Sequence, residues 1–261
     1  MGIQTFNESI LKVLQRRHTA RQAIEAFQNC RAAGFQNISI DLMYGLPGET
    51  LSTWQQDLDQ ALLLHPEHLS AYHLIYEEDT VLWKLREQHK VEEADEDLSA
   101  FLFSTLIDRL TSEGYDHYEI SNFSLPGLYS RHNSSYWTEK KYLGCGPSAH
   151  SYNGVSRQWN VASLDTYIKG ISAGTPVFEI EELDLYTRYN DFVITRIRTE
   201  WGMPLSKLRD EFGEKLYDYC LRMAAPHLKQ GTLELVNDIL KLTRKGIFIS
   251  DGIMSDMLWT D

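Results

Sequence analysis

Ile38-Ser39-Ile40-Asp41-Leu42-Met43, followed directly by Tyr44-Gly45-Leu46-Pro47-Gly48-Glu49-Thr50, sets a short and mostly apolar run against a turn rich in glycine and proline. A run of this length closed by such a turn reads as a strand. The stretch after it, with Trp54, Leu58, Ala61 and Leu62 on one face, reads as a helix carrying the chain to Pro66. The same alternation continues outward in both directions. Upstream, Gly2 to Phe6 is a short run, and helical periodicity through Ile24 and Phe27 ends at Ala33-Gly34, where glycine suits a helix C-terminus. Downstream, Leu69 to Leu74 forms a third strand. Strands alternating with amphipathic helices are the pattern of βαβ units on a parallel sheet, so an α/β fold is expected.

Within that pattern Asp41 is out of place, because strands covered on both faces are nearly all apolar and a buried carboxylate needs a partner. Strand alternation puts Ser39 and Asp41 on one face and Ile38, Ile40 and Leu42 on the other, consistent with an inner, ligand-lined surface and an outer, helix-facing one. Pattern alone leaves two readings of Asp41 open: a functional carboxylate near the end of a barrel strand, or a loop cap or partner of an internal arginine. Gln4 reads as a strand-end amide, and Arg16-Arg17-His18 as an exposed basic helix end.

The rest of the chain changes texture twice. Glu77 to Asp97 holds nine acids against three Lys or Arg and reads as a solvated excursion. A helix through Leu98, Leu102, Leu106 and Leu110 stops at Gly114, and a segment rich in rings and hydrogen-bonding groups runs from Tyr115 to Asn160. Beyond Glu182, helical stretches at Thr187 to Arg198, Leu205 to Phe212 and Glu214 to Leu228 precede strand-like runs at Leu233 to Val236 and Ile239 to Leu242, the order of a winged-helix module. The net charge of −12 opposes phosphate-backbone and anionic-lipid binding. Within Glu214 to Leu228 the acids Glu214 and Asp218 balance Lys215 and Arg222, which argues against nucleic acid as a partner of that helix. No stretch is long and apolar enough for a membrane span, and three scattered cysteines give no disulfide framework, so a reducing cytoplasm is the expected compartment. Cys30, on a crossover helix, reads as a small buried hydrophobe.

Gly2-Ile3-Gln4-Thr5-Phe6-Asn7, Arg16-Arg17-His18 and the Asp41 to Thr50 stretch resemble, in order and spacing, the second half of the radical S-adenosylmethionine (SAM) barrel of the HemN/HemW group. The resemblance continues through Ser70-Ala71-Tyr72-His73-Leu74, Tyr118-Glu119-Ile120-Ser121-Asn122-Phe123 and Tyr142-Leu143-Gly144-Cys145-Gly146-Pro147-Ser148-Ala149-His150. It implies a partial radical SAM (β/α) barrel over 1–75, a connecting α+β segment over 76–181 and a HemN C-terminal, winged-helix-like domain over 182–261. Carried over residue by residue, Gln4, Arg16 and Asp41 match positions that contact SAM: an amide, a guanidinium for the methionine carboxylate, and a carboxylate. SAM presents charges of both signs and ribose hydroxyls, so such a set suits it.

His132-Asn133-Ser134-Ser135-Tyr136-Trp137 resembles the HNxxYW signature of the haem-chaperone branch, HemW, which implies binding of haem and its delivery to a recipient haemoprotein. On that reading His132 is a candidate axial ligand, with Tyr136 and Trp137 as an aromatic wall for the porphyrin. By residue chemistry alone, a histidine beside aromatics is more often a hydrogen-bonded structural residue, and the two rings more often ordinary packing. The enzyme branch, oxygen-independent coproporphyrinogen III oxidase in porphyrin biosynthesis, is the alternative. A DNA-binding regulator built on the C-terminal module is a third reading. The family holds its 4Fe-4S cluster with a CxxxCxxC loop that this sequence lacks. Cys30, Cys145 and Cys220 do not have that spacing. The expectation is an N-terminally truncated form that assembles no cluster and is inactive alone, which leaves open whether the chain is an enzyme.

Overall fold

The computed structural model describes residues 1–260, which divide into two compact units, Met1–Ser130 and the chain from Arg131 onward. The division falls inside the segment expected to connect a half-barrel to the C-terminal domain.

The first unit begins with β1 (Gly2–Gln4), α1 (Glu8–Val13) and α2 (Ala20–Ala32), followed by β2 (Ser39–Tyr44), α3 (Leu51–Leu63) and β3 (His68–His73). Helix starts are fixed by side chains that accept from otherwise unpaired backbone N–H groups. Asn7 caps α1, while Thr19 with Gln22 and Thr50 with Thr53 form capping boxes on α2 and α3. Strands β1, β2 and β3 pair in parallel, with Asp41 opposite Gly2 on one side and Ser70 on the other. The alternation expected from sequence is present: Ile40 and Leu42 are buried, while Ser39 and Asp41 are half-buried.

The acidic excursion is more ordered than its composition suggested. It contains α4 (Val81–Glu87), capped by Thr80, with no buried residue of its own. Leu82, Trp83 and Val91 lean on a small cluster of Ile10, Leu46, Leu74 and Tyr76, so a few apolar side chains anchor an otherwise solvated segment. Then α5 (Glu96–Ser112) packs against α3, and Trp54 Nε1 donates to the Leu102 carbonyl at 3.0 Å. Two antiparallel strands, β4 (Asp116–Glu119) and β5 (Asn122–Ser124), complete a five-stranded sheet in the order β1-β2-β3-β5-β4. Its core joins Ile40, Leu42, Leu69 and Phe123 of the sheet to Trp54, Leu58, Leu102 and Leu106 of the helices, all fully buried.

The second unit opens with α6 (Arg131–Trp137), followed by β6 (His150–Tyr152), β7 (Ser156–Asn160), α7 (Leu164–Ser172) and β8 (Phe178–Glu182); the three strands form an antiparallel sheet. After α8 (Leu185–Ile197) come β9 (Met203–Pro204), α9 (Leu205–Gln230), the hairpin β10 (Leu233–Val236) and β11 (Ile239–Leu242), then α10 (Arg244–Ile247) and α11 (Ser250–Met257). The two helices expected on either side of Gly213 are the two arms of α9, which bends there because Gly213 takes φ 79°, ψ 173°, a conformation that breaks the helix. Tyr189, Phe192, Leu208, Phe212, Cys220 and Met257 are buried between α8, α9 and α11.

Candidate functional site

One face of the first unit's sheet is helix-covered and apolar; the other carries a continuous set of polar side chains. Registers of β2, β3 and β5 bring Ser39, His68 and Ser124 into one row and Asp41, Ser70 and Asn122 into the next. Both rows are hydrogen-bonded across strands. His68 lies 2.8 Å from Ser39 Oγ through Nδ1 and 2.6 Å from the Tyr118 hydroxyl through Nε2. Burial lowers its pKa to about 4, so the imidazole is neutral at physiological pH. In the second row, Asn122 Nδ2 donates to a Glu119 carboxylate oxygen, which fixes the amide so that its Oδ1 accepts from Ser70 Oγ at 2.8 Å. Ser70, Glu119 and Asn122 are all buried. Buried polar groups on a sheet face are costly unless satisfied; His68, Ser70, Glu119 and Asn122 each have a partner, whereas the buried Ser124 Oγ has none among the described residues.

Of the sequence-predicted residues, Asp41 sits on this face and Gln4 on the neighbouring strand. Asp41 lies mid-strand on β2 beside Ser70. Gln4, at the end of β1, takes φ 73° and folds its amide over Gly2, the residue in register with Asp41; a Cβ on Gly2 would fall 2.5 Å from Gln4 Nε2. A side chain at position 2 would displace the amide from this position. Arg16 follows α1 in an exposed turn held by its backbone N–H to Leu11 O at 2.9 Å, and its guanidinium makes no ion pair or hydrogen bond among the described residues. The structure thus brings Gln4 and Asp41 to neighbouring strands and leaves Arg16 a free cation in the loop between α1 and α2. His68, Ser70, Tyr118, Glu119 and Asn122 were not singled out from sequence. The available signal was the i, i+2 spacing of His68 and Ser70 inside an apolar strand, the same anomaly that marks Asp41.

The C-terminal edge of β2 holds a second set of buried acids. Glu49 closes the Gly45–Gly48 turn by accepting from Gly45 N at 2.7 Å and Leu46 N at 3.3 Å, while its other carboxylate oxygen has no partner. Burial raises its pKa to about 7, the two backbone donors partly offset that, and neighbouring Asp57 raises it further. Asp57 accepts from Thr5 Oγ1 and from Phe6 N, and burial also raises its pKa.

In the second unit, α6 presents His132 and Tyr136 one helical turn apart, both exposed. Tyr136 OH lies 3.3 Å from His132 Nε2, and the rings meet edge-on with centroids 5.1 Å apart. Tyr136 contacts Tyr142 edge-on at 5.0 Å, and Tyr142 is tied to Tyr152 by two backbone hydrogen bonds of 2.9 Å. Tyr136, Tyr142 and Tyr152 line a cavity of about 170 Å³ with Lys140, Arg157 and Asp191. Arg198 lies over the Trp137 ring at 4.4 Å, and the buried Trp137 Nε1 has no acceptor among the described residues. Glu139, after α6, binds Arg196 at 2.8 Å and Lys207 at 2.9 Å; burial pushes its pKa up, but the two cations outweigh that and hold it below the usual carboxylate range.

The cysteines do not assemble a metal centre. Cys30 is half-buried on α2 rather than fully buried as expected, Cys145 is exposed in a loop, and Cys220 is buried on α9. Among the described residues no three His, Cys, Asp or Glu side chains group as a metal site. A 4Fe-4S cluster, which needs converging thiolates, therefore does not fit the cysteines present.

Residues 1–61 match the Radical SAM superfamily model and residues 183–249 the HemN C-terminal domain model. The chain is 31% identical over 264 residues to the heme chaperone HemW of Lactococcus lactis, covering all of this chain and 69% of that protein. It is 32% identical over 259 residues to HemW of Mycobacterium tuberculosis H37Rv, covering 99% of this chain and 64% of that one. The solved structure of coproporphyrinogen III oxidase (HemN) from Escherichia coli, described as a radical SAM enzyme, superposes with a TM-score of 0.80 at 20% identity, over 98% of this chain and 63% of that one. These relatives are about half as long again as this chain.

Proposed function

This chain belongs to the HemW/HemN group of the radical SAM superfamily, and from that premise we propose that it is a HemW-like haem chaperone that binds haem in its second unit and passes it to a recipient haemoprotein in the cytoplasm. The observation that carries this reading is the exposed imidazole of His132, set on α6 beside an aromatic ladder. Tyr136 would supply the porphyrin contact. Trp137, engaged with Arg198, would support α6 from behind.

In the first unit, Gln4, Arg16 and Asp41 are the residues proposed to hold SAM. The bare Gly2 under the Gln4 amide, the half-buried Asp41 and the unpaired Arg16 supply a hydrogen-bonding amide, an anion for an ammonium or ribose hydroxyls, and a cation for a carboxylate. SAM bound there would supply radical chemistry only with a cluster, and this chain's own residues do not provide one. No helix among the described residues is long and apolar enough to cross a membrane.

The test is a titration of the chain with ferric haem, followed by its Soret band. Stoichiometric binding is expected, weakened by more than roughly tenfold in His132→Ala through loss of the axial ligand. Equal affinity in the variant overturns the assignment of His132. Turnover of coproporphyrinogen by the chain would overturn the chaperone reading in favour of the enzyme branch.

A further inference from the structure

The Tyr136 hydroxyl sits on the one ring nitrogen that an incoming iron can best reach. In the imidazole of His132, Nδ1 adjoins the carbon that joins the ring to the helix, so a porphyrin centred on it would run into α6. Nε2 lies at the far end of the ring. That nitrogen is the one 3.3 Å from Tyr136 OH, and among the described residues Nδ1 has no partner. For Nε2 to serve as a ligand it must be unprotonated, with the ring proton on Nδ1. In that same tautomer the tyrosine O–H donates into the Nε2 lone pair. Hydroxyl and iron therefore need the same electron pair.

Resting on the haem-chaperone reading, we propose that Tyr136 is a competitor for the haem ligand site, which loosens the hold of His132 on haem and makes the cargo exchangeable. When haem binds, the iron–Nε2 bond forms, the O–H···Nε2 hydrogen bond breaks and the hydroxyl turns to water. When haem leaves, the hydroxyl returns and satisfies the vacated nitrogen. Two features equip Tyr136 for this. It is 39% exposed, so the displaced hydroxyl is solvated at little cost. Its ring is braced edge-on by Tyr142, itself fixed by backbone pairing with Tyr152, so the hydroxyl returns to the same place. The one-turn spacing on α6 keeps competitor and ligand in register without any rearrangement of the fold.

The experiment is a ferric haem titration of the full chain as wild type, Tyr136→Phe, Tyr142→Phe and His132→Ala, with release measured by transfer to apomyoglobin. A neutral hydrogen bond of this kind predicts that Tyr136→Phe, which keeps the ring and loses only the hydroxyl, binds haem roughly 2- to 10-fold more tightly and releases it more slowly by a similar factor. Tyr142→Phe leaves the competing bond in place and is expected to bind within about twofold of wild type. Unchanged or weaker binding by Tyr136→Phe, with His132→Ala still defective, overturns the competition and leaves the haem site standing. Wild-type binding by His132→Ala overturns both.

Discussion

Replacing Glu49 by glutamine tests whether a buried acid at the end of β2 makes the first unit's stability depend on pH. Glu49 is 5% exposed, one carboxylate oxygen takes two backbone N–H groups, and the other has no partner. Burial raises its pKa from the ordinary 4.5 to about 7. The folded chain therefore holds this proton more tightly than the unfolded chain does. The resulting stability is fully present below about pH 4.5 and is lost as pH rises through 7. At 1.36 kcal/mol per pH unit, the gap between the two values corresponds to about 3 kcal/mol as an upper figure. Asp57, raised in the same direction, adds to the slope. Glutamine keeps the acceptor for Gly45 and Leu46 and cannot ionise. Urea denaturation of wild type and Glu49→Gln at pH 5 and pH 8, followed by Trp54 in a background with the other tryptophans replaced by phenylalanine, reads the first unit alone. At pH 5 the two proteins are expected to agree within about 1 kcal/mol, and at pH 8 the variant is expected to be the more stable by about 2–3 kcal/mol. A difference that is the same at both pH values would refute the reasoning, because it would mean that the carboxyl does not titrate differently on folding.

Gly45→Ala is expected to destabilise the first unit by about 2 kcal/mol or more, since Gly45 takes φ +69° and a Cβ would lie 2.5 Å from His73 Nε2, which is itself bonded to Ser99; an unchanged urea midpoint would sink this. Anaerobic reconstitution of the chain with iron and sulfide is expected to leave it without a 4Fe-4S chromophore and, given SAM and a reductant, without 5′-deoxyadenosine; detection of that product from the chain by itself would overturn the view that its cysteines cannot hold a cluster.

The local features of the fold were legible because they are written in short-range patterns. The period of apolar residues marks the helices of the first unit, the break between the helical stretches Leu205 to Phe212 and Glu214 to Leu228 falls at the bend in α9, and the hairpin over Leu233–Val236 and Ile239–Leu242 falls where the sequence predicts it. Asp41 announced itself for the same reason, as a carboxylate where a strand should be apolar. The lack of a CxxxCxxC loop is equally a property of the sequence. Other features follow only from the tertiary structure. Ser70 meets Asn122 across some fifty residues of intervening chain because the antiparallel β3–β5 register sets them side by side, and His68 reaches Tyr118 on β4, the strand beyond β5. Burial around the β2 turn, not the identity of Glu49, moves its proton affinity. The i, i+4 spacing of His132 and Tyr136 allowed their contact, but the ring contact of Tyr136 with Tyr142 and the stacking of Arg198 on Trp137 come from residues outside α6. Sequence fixes what lies within one helical turn or strand of a residue, whereas the partners of a buried polar group are chosen by the register and packing of segments far apart along the chain.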